Sequence, residues 1–184
     1  YCPCVCGEYS VGGVAAWAEP NYIFPPDSTP DDPYYSTQQP YLNRLEAAAA
    51  WDIQQGTASV VVAVLDTGVD ITHEDLQGVI WTNAGEMPGN GIDDDGNGFV
   101  DDVHGWDFAA DENTLTDDYG HGTHVAGIIG ATRSNGKGIA GLAGGVTLMP
   151  VDVFSFGIGT YEDLIRAIVY ATDNGANVIN MSLG

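Results

Sequence analysis

Residues 60–70 read VVVAVLDTGVD, a continuous apolar run that leads directly into Asp66, Thr67 and Gly68. Most of the run is β-branched, and it lacks the alternation of apolar and polar residues that marks a half-buried strand. Such a run is typical of a strand buried on both faces, as in a parallel sheet covered by helices. The sequence therefore predicts that Asp66 stands at the carboxyl end of a central strand, where open α/β sheets collect their functional groups.

The C-terminal part of the chain has the order strand, helix, strand. Apolar runs at residues 146–154 and 177–183 predict two further strands, and the segment between them has apolar residues at helical spacing. Thr160 followed by Asp163 is typical of a capping box, and Asn174-Gly175 of a helix end. We expect a right-handed βαβ unit and therefore an α/β fold.

Residues 121–127 read HGTHVAG and begin a predicted helix that extends to about residue 131. Gly120 and Gly122 flank His121 and allow another part of the backbone to come close. A histidine titrates near neutral pH and can act as a general base, and a paired aspartate fixes its tautomer and orientation. Asp66 and His121 are far apart in the chain, so only the fold can bring them together.

These two motifs together resemble the Asp and His blocks of the subtilisin-like serine proteases (subtilases), and the resemblance covers about residues 34–184. It implies an α/β fold of three layers, αβα, with a mainly parallel subtilisin-like sheet, truncated before the nucleophile region. It also implies that Asp66 and His121 are the first two members of an Asp-His-Ser triad, in the chain order that occurs in subtilisin. By the same resemblance, His124 has a structural role as a buried helix residue.

The resemblance further implies two walls of a cleft that binds an extended polypeptide substrate by strand addition. The cleft-wall residues are Gly157, Ile158, Gly159, Ser182, Leu183 and Gly184. No serine of the chain lies in a sequence that resembles the nucleophile block of the family, and the family's oxyanion-hole asparagine is also expected further on. Because loss of the serine lowers kcat of subtilisin by about a million-fold, we expect this chain alone to be inactive.

Three functions stay open at this point. The chain is a fragment of a secreted serine endopeptidase precursor, or a calcium-stabilised pseudoprotease module that binds peptides without cleaving them, or a propeptide-type inhibitor. The coding sequence beyond Gly184 distinguishes the first two. An in-frame Gly-Thr-Ser block favours the protease, and a stop codon favours the module.

An acidic loop separates the two catalytic motifs. Residues 93–98 follow the pattern D-x-D-x-N-G, which is the first part of an EF-hand loop, but His104 stands where that loop has its bidentate glutamate. Calcium binds through six to eight oxygens, so this density of carboxylates predicts a structural calcium site rather than a solvated acidic turn. The predicted ligands are Asp93, Asp95, Asn97, Phe99 through its carbonyl oxygen, and Asp101.

A second and weaker calcium position involves Asp75. By position, Asp75 matches a calcium ligand of the subtilases, and residues 134–138 follow the predicted helix where the family has a calcium loop. Lys137 lies within that loop and argues against cation binding there.

The start of the chain differs in character from the rest. Residues 14–22 resemble the end of a subtilase propeptide, so we interpret residues 1–25 as a remnant of an inhibitory propeptide. Residues 26–40 are interpreted as a proline-rich extended linker or mature N-terminal arm, and residues 41–184 as a partial peptidase domain that begins with a helix at 43–52. Cys2, Cys4 and Cys6 match neither a four-ligand zinc site nor a complete set of disulfides.

The charge of the chain excludes some partners. Four Lys and Arg residues against 26 Asp and Glu residues give a formal net charge of −22, which disfavours nucleic acids and anionic membrane surfaces. No apolar run reaches the roughly 20 residues of a membrane-spanning helix. We expect an extracellular protein that acts on polypeptides, has its own propeptide as inhibitor, and is a monomer when complete.

Overall fold

The computed structural model describes residues 29–154 and 157–183. The predictions for Cys2, Cys4, Cys6, the propeptide-like segment and Gly184 lie outside the described residues. The helices are α1 (Tyr35–Gln38), α2 (Pro40–Arg44), α3 (Ala47–Trp51), α4 (His121–Gly130) and α5 (Tyr161–Asp173). The strands are β1 (Val61–Asp66), β2 (Trp106–Asp107), β3 (Thr147–Asp152) and β4 (Val178–Asn180).

The strands form one parallel sheet in the order β2-β3-β1-β4. The register pairs Asp66 of β1 with Asp152 of β3, and Asp152 with Asp107 of β2. Side chains that are paired in register on neighbouring strands point to the same face of a sheet. The sheet therefore aligns three carboxylates at the carboxyl ends of three adjacent strands, with Asp66 at one end of the row.

Helices cover both faces of the sheet, which confirms the predicted three-layer fold. On one face, Val64 and Leu148 pack in a buried cluster with Ala126 of α4. On the other face, Leu65 packs in a second cluster with Tyr170 of α5. Val64 lies two residues before Asp66 on β1, so Asp66 projects from the face that α4 covers.

The βαβ unit at the C-terminal side forms as predicted. The backbone N–H of Asp163 donates to the Thr160 hydroxyl at 3.1 Å, which caps the first turn of α5. Strand β4 is shorter than the predicted run at 177–183. Strand β2 was not predicted, because two residues carry no periodic signal.

The segment before β1 differs from its prediction. The expected helix at 43–52 is broken into α2 and α3 at Glu46, whose φ of 53° is left-handed. The prediction of an extended linker is wrong for residues 35–40, because Tyr35–Gln38 is helical and α2 begins at Pro40. Gln39 is buried, and its side-chain amide makes two hydrogen bonds with the Ala140 backbone, at 2.8 and 2.9 Å. These contacts attach the segment to the domain.

Within the described ranges, no helix combines the length and apolarity that a membrane crossing requires.

Candidate active site

Asp66 and His121 are in direct contact. The Nδ1 atom of His121 lies 2.6 Å from Oδ1 of Asp66, and the same oxygen accepts the backbone N–H of Thr67 at 2.8 Å. Asp66 is fully buried, whereas the His121 side chain is 44% exposed. With Asp66 ionised, Nδ1–H donates to the carboxylate, so Nε2 carries the lone pair of a general base. Among the described residues the imidazole has no other hydrogen bond, so Nε2 is available to a substrate or a nucleophile.

The contact depends on close approach of helix α4 to the turn after β1. His121 is the first residue of α4, and Asp66 is the last residue of β1. A Cβ atom at Gly122 would collide with the carbonyl oxygen of Gly68 and would lie 3.0 Å from Cβ of Asp66. Only glycine at position 122 allows the two elements to meet at this distance.

Two side chains from outside α4 bind its first turn. The Thr67 hydroxyl accepts the backbone N–H of Gly122 at 3.0 Å, and Oδ2 of Asp117 accepts that of Thr123 at 2.8 Å. Burial raises the pKa of Asp117, but hydrogen bonds from Thr123, Gly120 and Thr67 outweigh it and hold the pKa below its usual value. Asp117 is therefore ionised at neutral pH, and its charge faces the positive end of the helix dipole.

The pair formed by Asp66 and His121 opens into a cleft. The cleft is lined by Asp66, Thr67, Tyr119, His121, Phe154, Gly157, Ser182 and Leu183. An apolar pocket adjoins it through Phe154 and Leu183. That pocket is also lined by Val153, Gly159, Thr160, Tyr161 and Leu164.

The structure thus brings most of the predicted cleft-wall residues to the same region. Gly157, Ser182 and Leu183 line the cleft itself, and Gly159 lines the adjoining pocket. Ile158 is 73% exposed and lines neither space. The Ser182 hydroxyl donates to the side-chain oxygen of Asn180 at 2.9 Å rather than to His121. Tyr119 and Phe154 were not predicted, because nothing in their local sequence marks them as cleft residues.

Asp152, which pairs in register with Asp66, is a titratable group that the sequence did not single out. It is 6% exposed, and its Oδ1 accepts the backbone N–H of Phe154 at 2.9 Å. Burial, then the nearby Asp107 and Asp117 carboxylates, raise the pKa of Asp152 to about 7. Burial also raises the pKa of Asp107. Asp152 therefore changes its charge close to neutral pH.

The acidic loop brings together a different set of residues from the predicted one. One ligand atom from each of Glu86, Asp95 and Asp102 lies within 4.8 Å of the others, the only such group of three in the described part of the chain. The Asn83 side-chain amide bridges Asp95 and Asp102 at 2.9 and 2.8 Å, and the Tyr170 hydroxyl donates to Asp102 at 2.7 Å. Convergent carboxylate oxygens are the donor set that Ca²⁺ or Mg²⁺ prefers, so the residues present fit a hard cation.

Two of the predicted calcium ligands hold the loop backbone, as Glu86 also does by accepting the backbone N–H groups of residues 94, 95 and 101. Asp93 accepts the backbone N–H groups of residues 96, 97 and 98, and Asp101 accepts those of residues 90 and 91. Asn97 donates to Asp95 and Asp102 at 3.3 and 3.1 Å. Phe99, which was predicted to bind calcium through its carbonyl oxygen, packs its ring edge-on against Tyr170, with ring centroids 4.9 Å apart. The sequence did not indicate Glu86 and Asp102 as candidate ligands because they lie outside the D-x-D-x-N-G pattern.

Comparison with known proteins decides the family. A model of the subtilase family matches residues 57–184. The chain belongs to the subtilase family. It is 38% identical over 169 residues to the thermophilic serine proteinase of Bacillus sp. (strain AK1), an alignment that covers 91% of this chain and 37% of that protein. It is also 38% identical over 157 residues to thermitase of Thermoactinomyces vulgaris, which covers 85% of this chain and 48% of thermitase.

Solved structures agree with this assignment. A protease from Pseudoalteromonas arctica PAMC 21717 superposes with a TM-score of 0.60 at 31% identity, covering 85% of this chain and 51% of that one. Fervidolysin from Fervidobacterium pennivorans, a keratinolytic enzyme related to subtilisin, superposes with a TM-score of 0.53 at 35% identity, covering 75% of this chain and 19% of fervidolysin. This subtilase chain therefore spans less than half the length of the two curated relatives named above.

Two further predictions for this subtilase concern Asp75 and His124. Asp75 is buried, and it accepts the side-chain N–H of Asn135 and the backbone N–H of Ile139, both at 2.9 Å. It belongs to no group of three convergent ligand residues among those described. Buried Asp32, which the sequence did not indicate, binds the same loop through the backbone N–H of Ser134 at 2.9 Å. The prediction that His124 is buried is wrong, because its side chain is exposed beside a surface pocket.

Proposed function

We propose that the chain is the N-terminal part of the catalytic domain of a secreted serine-type endopeptidase precursor, with Asp66 and His121 as two members of its Asp-His-Ser triad. The observation that carries this proposal is the 2.6 Å contact between a buried carboxylate and a half-exposed imidazole. The contact lies in a cleft whose walls include Tyr119 and Leu183. A cleft of this kind suits an extended polypeptide, which is the substrate class we propose.

The chemistry is acyl transfer. Nε2 of His121 removes the proton of a serine hydroxyl that another part of the protease supplies, and the serine oxygen attacks the peptide carbonyl carbon. His121 then gives its proton to the departing amine, which leaves an acyl-enzyme. Water, deprotonated by His121, attacks the acyl-enzyme, and His121 then returns the proton to the serine oxygen as the acid is released. Asp66 stays ionised throughout and stabilises the imidazolium that forms in each step.

The inactivity of these 184 residues on their own is part of the proposal. It is supported by the absence of a nucleophile-like block in the sequence, and by Ser182, whose hydroxyl binds Asn180 rather than His121. The resemblance of residues 14–22 to the end of a subtilase propeptide supports an exported zymogen inhibited by its own propeptide. We propose that the complete protease is an extracellular monomer.

Calcium is the cation that we propose for the acidic loop. Glu86, Asp95 and Asp102 supply convergent carboxylate oxygens, and burial, as the first cause, raises the pKa of Asp102. A divalent cation would offset the repulsion among these carboxylates. Because the site exists only in the folded protein, binding would stabilise the native state. Asp75 stays a weaker candidate, since its side chain is engaged by Asn135 and Ile139.

Peptide hydrolysis tests the function. The 184-residue chain and the full product of the parent gene are each incubated with casein and a fluorogenic peptide, with and without a serine-directed inhibitor. We expect inhibitor-sensitive hydrolysis by the full product and none by the chain. Inhibitor-sensitive turnover by the chain contradicts its inactivity. A full product that binds peptides without cleaving them favours the pseudoprotease, the alternative that the cleft in this chain also supports.

A further inference from the structure

We propose that Thr67 and Asp117 are positioning residues for the catalytic pair: they bind the first turn of α4 from outside the helix and so fix His121 against Asp66. The inference rests on the proposed function in one respect, namely that Asp66 and His121 are the catalytic pair. The Thr67 hydroxyl and the Asp117 carboxylate contact neither the imidazole ring nor a reacting atom, so both residues act through the backbone that they bind.

Helix α4 cannot cap its own beginning. The first N–H groups of an α-helix have no partner within the helix and need acceptors from elsewhere. The N-cap residue is Gly120, with a left-handed φ of 84° and no side chain that could accept a hydrogen bond. The acceptors come instead from two other segments, through Thr67 for Gly122 and Asp117 for Thr123.

Thr67 connects the cap to the catalytic carboxylate. Its hydroxyl accepts from Gly122 at 3.0 Å and donates to Oδ1 of Asp117 at 2.9 Å. Its backbone N–H donates to Oδ1 of Asp66, the same oxygen that lies 2.6 Å from Nδ1 of His121. The residue thus holds Asp66 through its backbone and the residue after His121 through its side chain, which closes a ring of contacts around the pair.

Asp117 joins three parts of this region. Besides Thr67 and Thr123, it accepts the backbone N–H of Gly120 at 2.7 Å and that of Tyr119 at 3.2 Å. Each carboxylate oxygen is therefore hydrogen bonded, Oδ1 to three donors and Oδ2 to one. A carboxylate in this position fixes both the residues that lead into α4 and the first turn of α4.

The ring explains how a half-exposed imidazole is kept at one position. Gly122 is buried, so its N–H cannot turn to water when the Thr67 hydroxyl is removed. The first turn of α4 must then move to find another acceptor, and His121 moves with it. A displacement of about 1 Å in a catalytic group can lower a rate about a hundredfold.

The proposal is tested on the 184-residue chain, without any need for turnover. The histidines are labelled with nitrogen-15, and the proton on Nδ1 of His121 is followed by NMR and assigned by its loss in His121→Gln. Thr67→Val keeps the shape of the side chain but removes the hydroxyl, and Thr67→Ser keeps the hydroxyl. Thr72→Val is the matched control, because the exposed Thr72 hydroxyl donates to Asp70, outside the ring of contacts around the pair.

We expect solvent exchange of this proton to be at least about tenfold faster in Thr67→Val, and unchanged in Thr67→Ser and Thr72→Val. A folded Thr67→Val with the wild-type exchange rate overturns the proposal, as does a Thr67→Ser variant that behaves like Thr67→Val. If Thr67→Val does not fold, Asp117→Asn decides in the same way. The exchange rate tests the role of Thr67, and hydrolysis by the full product tests the proposed function. The two measurements are independent, so failure of one proposal is distinguishable from failure of the other.

Discussion

Replacing Asp152 with asparagine should stabilise the protein at about pH 8 and leave its stability at about pH 4 almost unchanged. The cause is the raised pKa of this buried carboxyl, from a usual value of 3.8 to about 7, owing to burial and to Asp107 and Asp117. Between these two values the folded protein keeps a proton that the unfolded chain releases. The free energy of unfolding therefore falls as the pH rises through this range, and the contribution is lost above the folded pKa.

The size of the effect follows from the shift. A difference of about 3 pKa units corresponds to about 4 kcal/mol, since each unit is about 1.4 kcal/mol. Asp152 is only 6% exposed, and relaxation of the protein and penetration of water around a buried carboxylate lower the cost of its charge. We therefore expect Asp152→Asn to raise the free energy of unfolding by about 2 kcal/mol at about pH 8. Asparagine can still accept the backbone N–H of Phe154 and carries no charge.

Urea unfolding followed by tryptophan fluorescence provides the measurement, for the wild type and Asp152→Asn at about pH 4, 6 and 8. Asp118→Asn serves as the control, because it removes one exposed carboxylate at a position outside the row of aligned strand ends. The increase in the free energy of unfolding should grow with pH for Asp152→Asn and not for Asp118→Asn. An equal effect at all three pH values, or a loss of stability at about pH 8, would refute the reasoning.

The remaining predictions concern the helix contact, the acidic loop and the imidazole. Gly122→Ala should destabilise the fold by about 3 kcal/mol in urea unfolding, because its Cβ meets the Gly68 backbone. Gly127→Ala in the same helix should cost less than about 1 kcal/mol, since its Cβ meets only the flexible Ile139 side chain; equal losses would contradict this. Terbium luminescence, sensitised by Tyr170, should reveal a site in the acidic loop whose affinity falls at least about tenfold in Asp102→Asn and not in Asp118→Asn. Calcium should compete with terbium and raise the melting temperature, and unchanged affinity in Asp102→Asn would exclude Asp102 as a ligand. In the full protease, His121→Ala should lower kcat about a million-fold, as in subtilisin, and a loss below about a hundredfold would exclude His121 as the general base.

The parts of the fold that could be predicted are those with a local signal. The apolar run before Asp66 marks a strand covered on both faces, and the capping box at Thr160 marks the start of α5. The break at Glu46 could not be predicted, because a left-handed φ at a non-glycine residue is imposed by packing around it rather than by its own preference.

The candidate site also combines residues that have a local sequence signal with contacts that only the fold creates. The motifs around Asp66 and His121 identified the pair, but not the contacts that hold it. The convergence of Glu86 with Asp102 depends on Asn83, and on Tyr170 of a distant helix. Contacts of this kind between distant segments leave no pattern in the local sequence, so the motif indicated Asp95 but neither Glu86 nor Asp102.

The hydrogen bonds by which Thr67 and Asp117 cap α4 from outside the helix also bear on how the protein folds. A helix of 10 residues that contains Gly122, Gly127 and Gly130 is marginal on its own, and it has no acceptor of its own for its first turn. Its beginning becomes stable only when the turn after β1 and Asp117 have already reached their native places. We therefore expect His121 and Asp66 to come together late, after the central sheet. A chain whose sheet has not yet formed therefore also lacks the contact between His121 and Asp66.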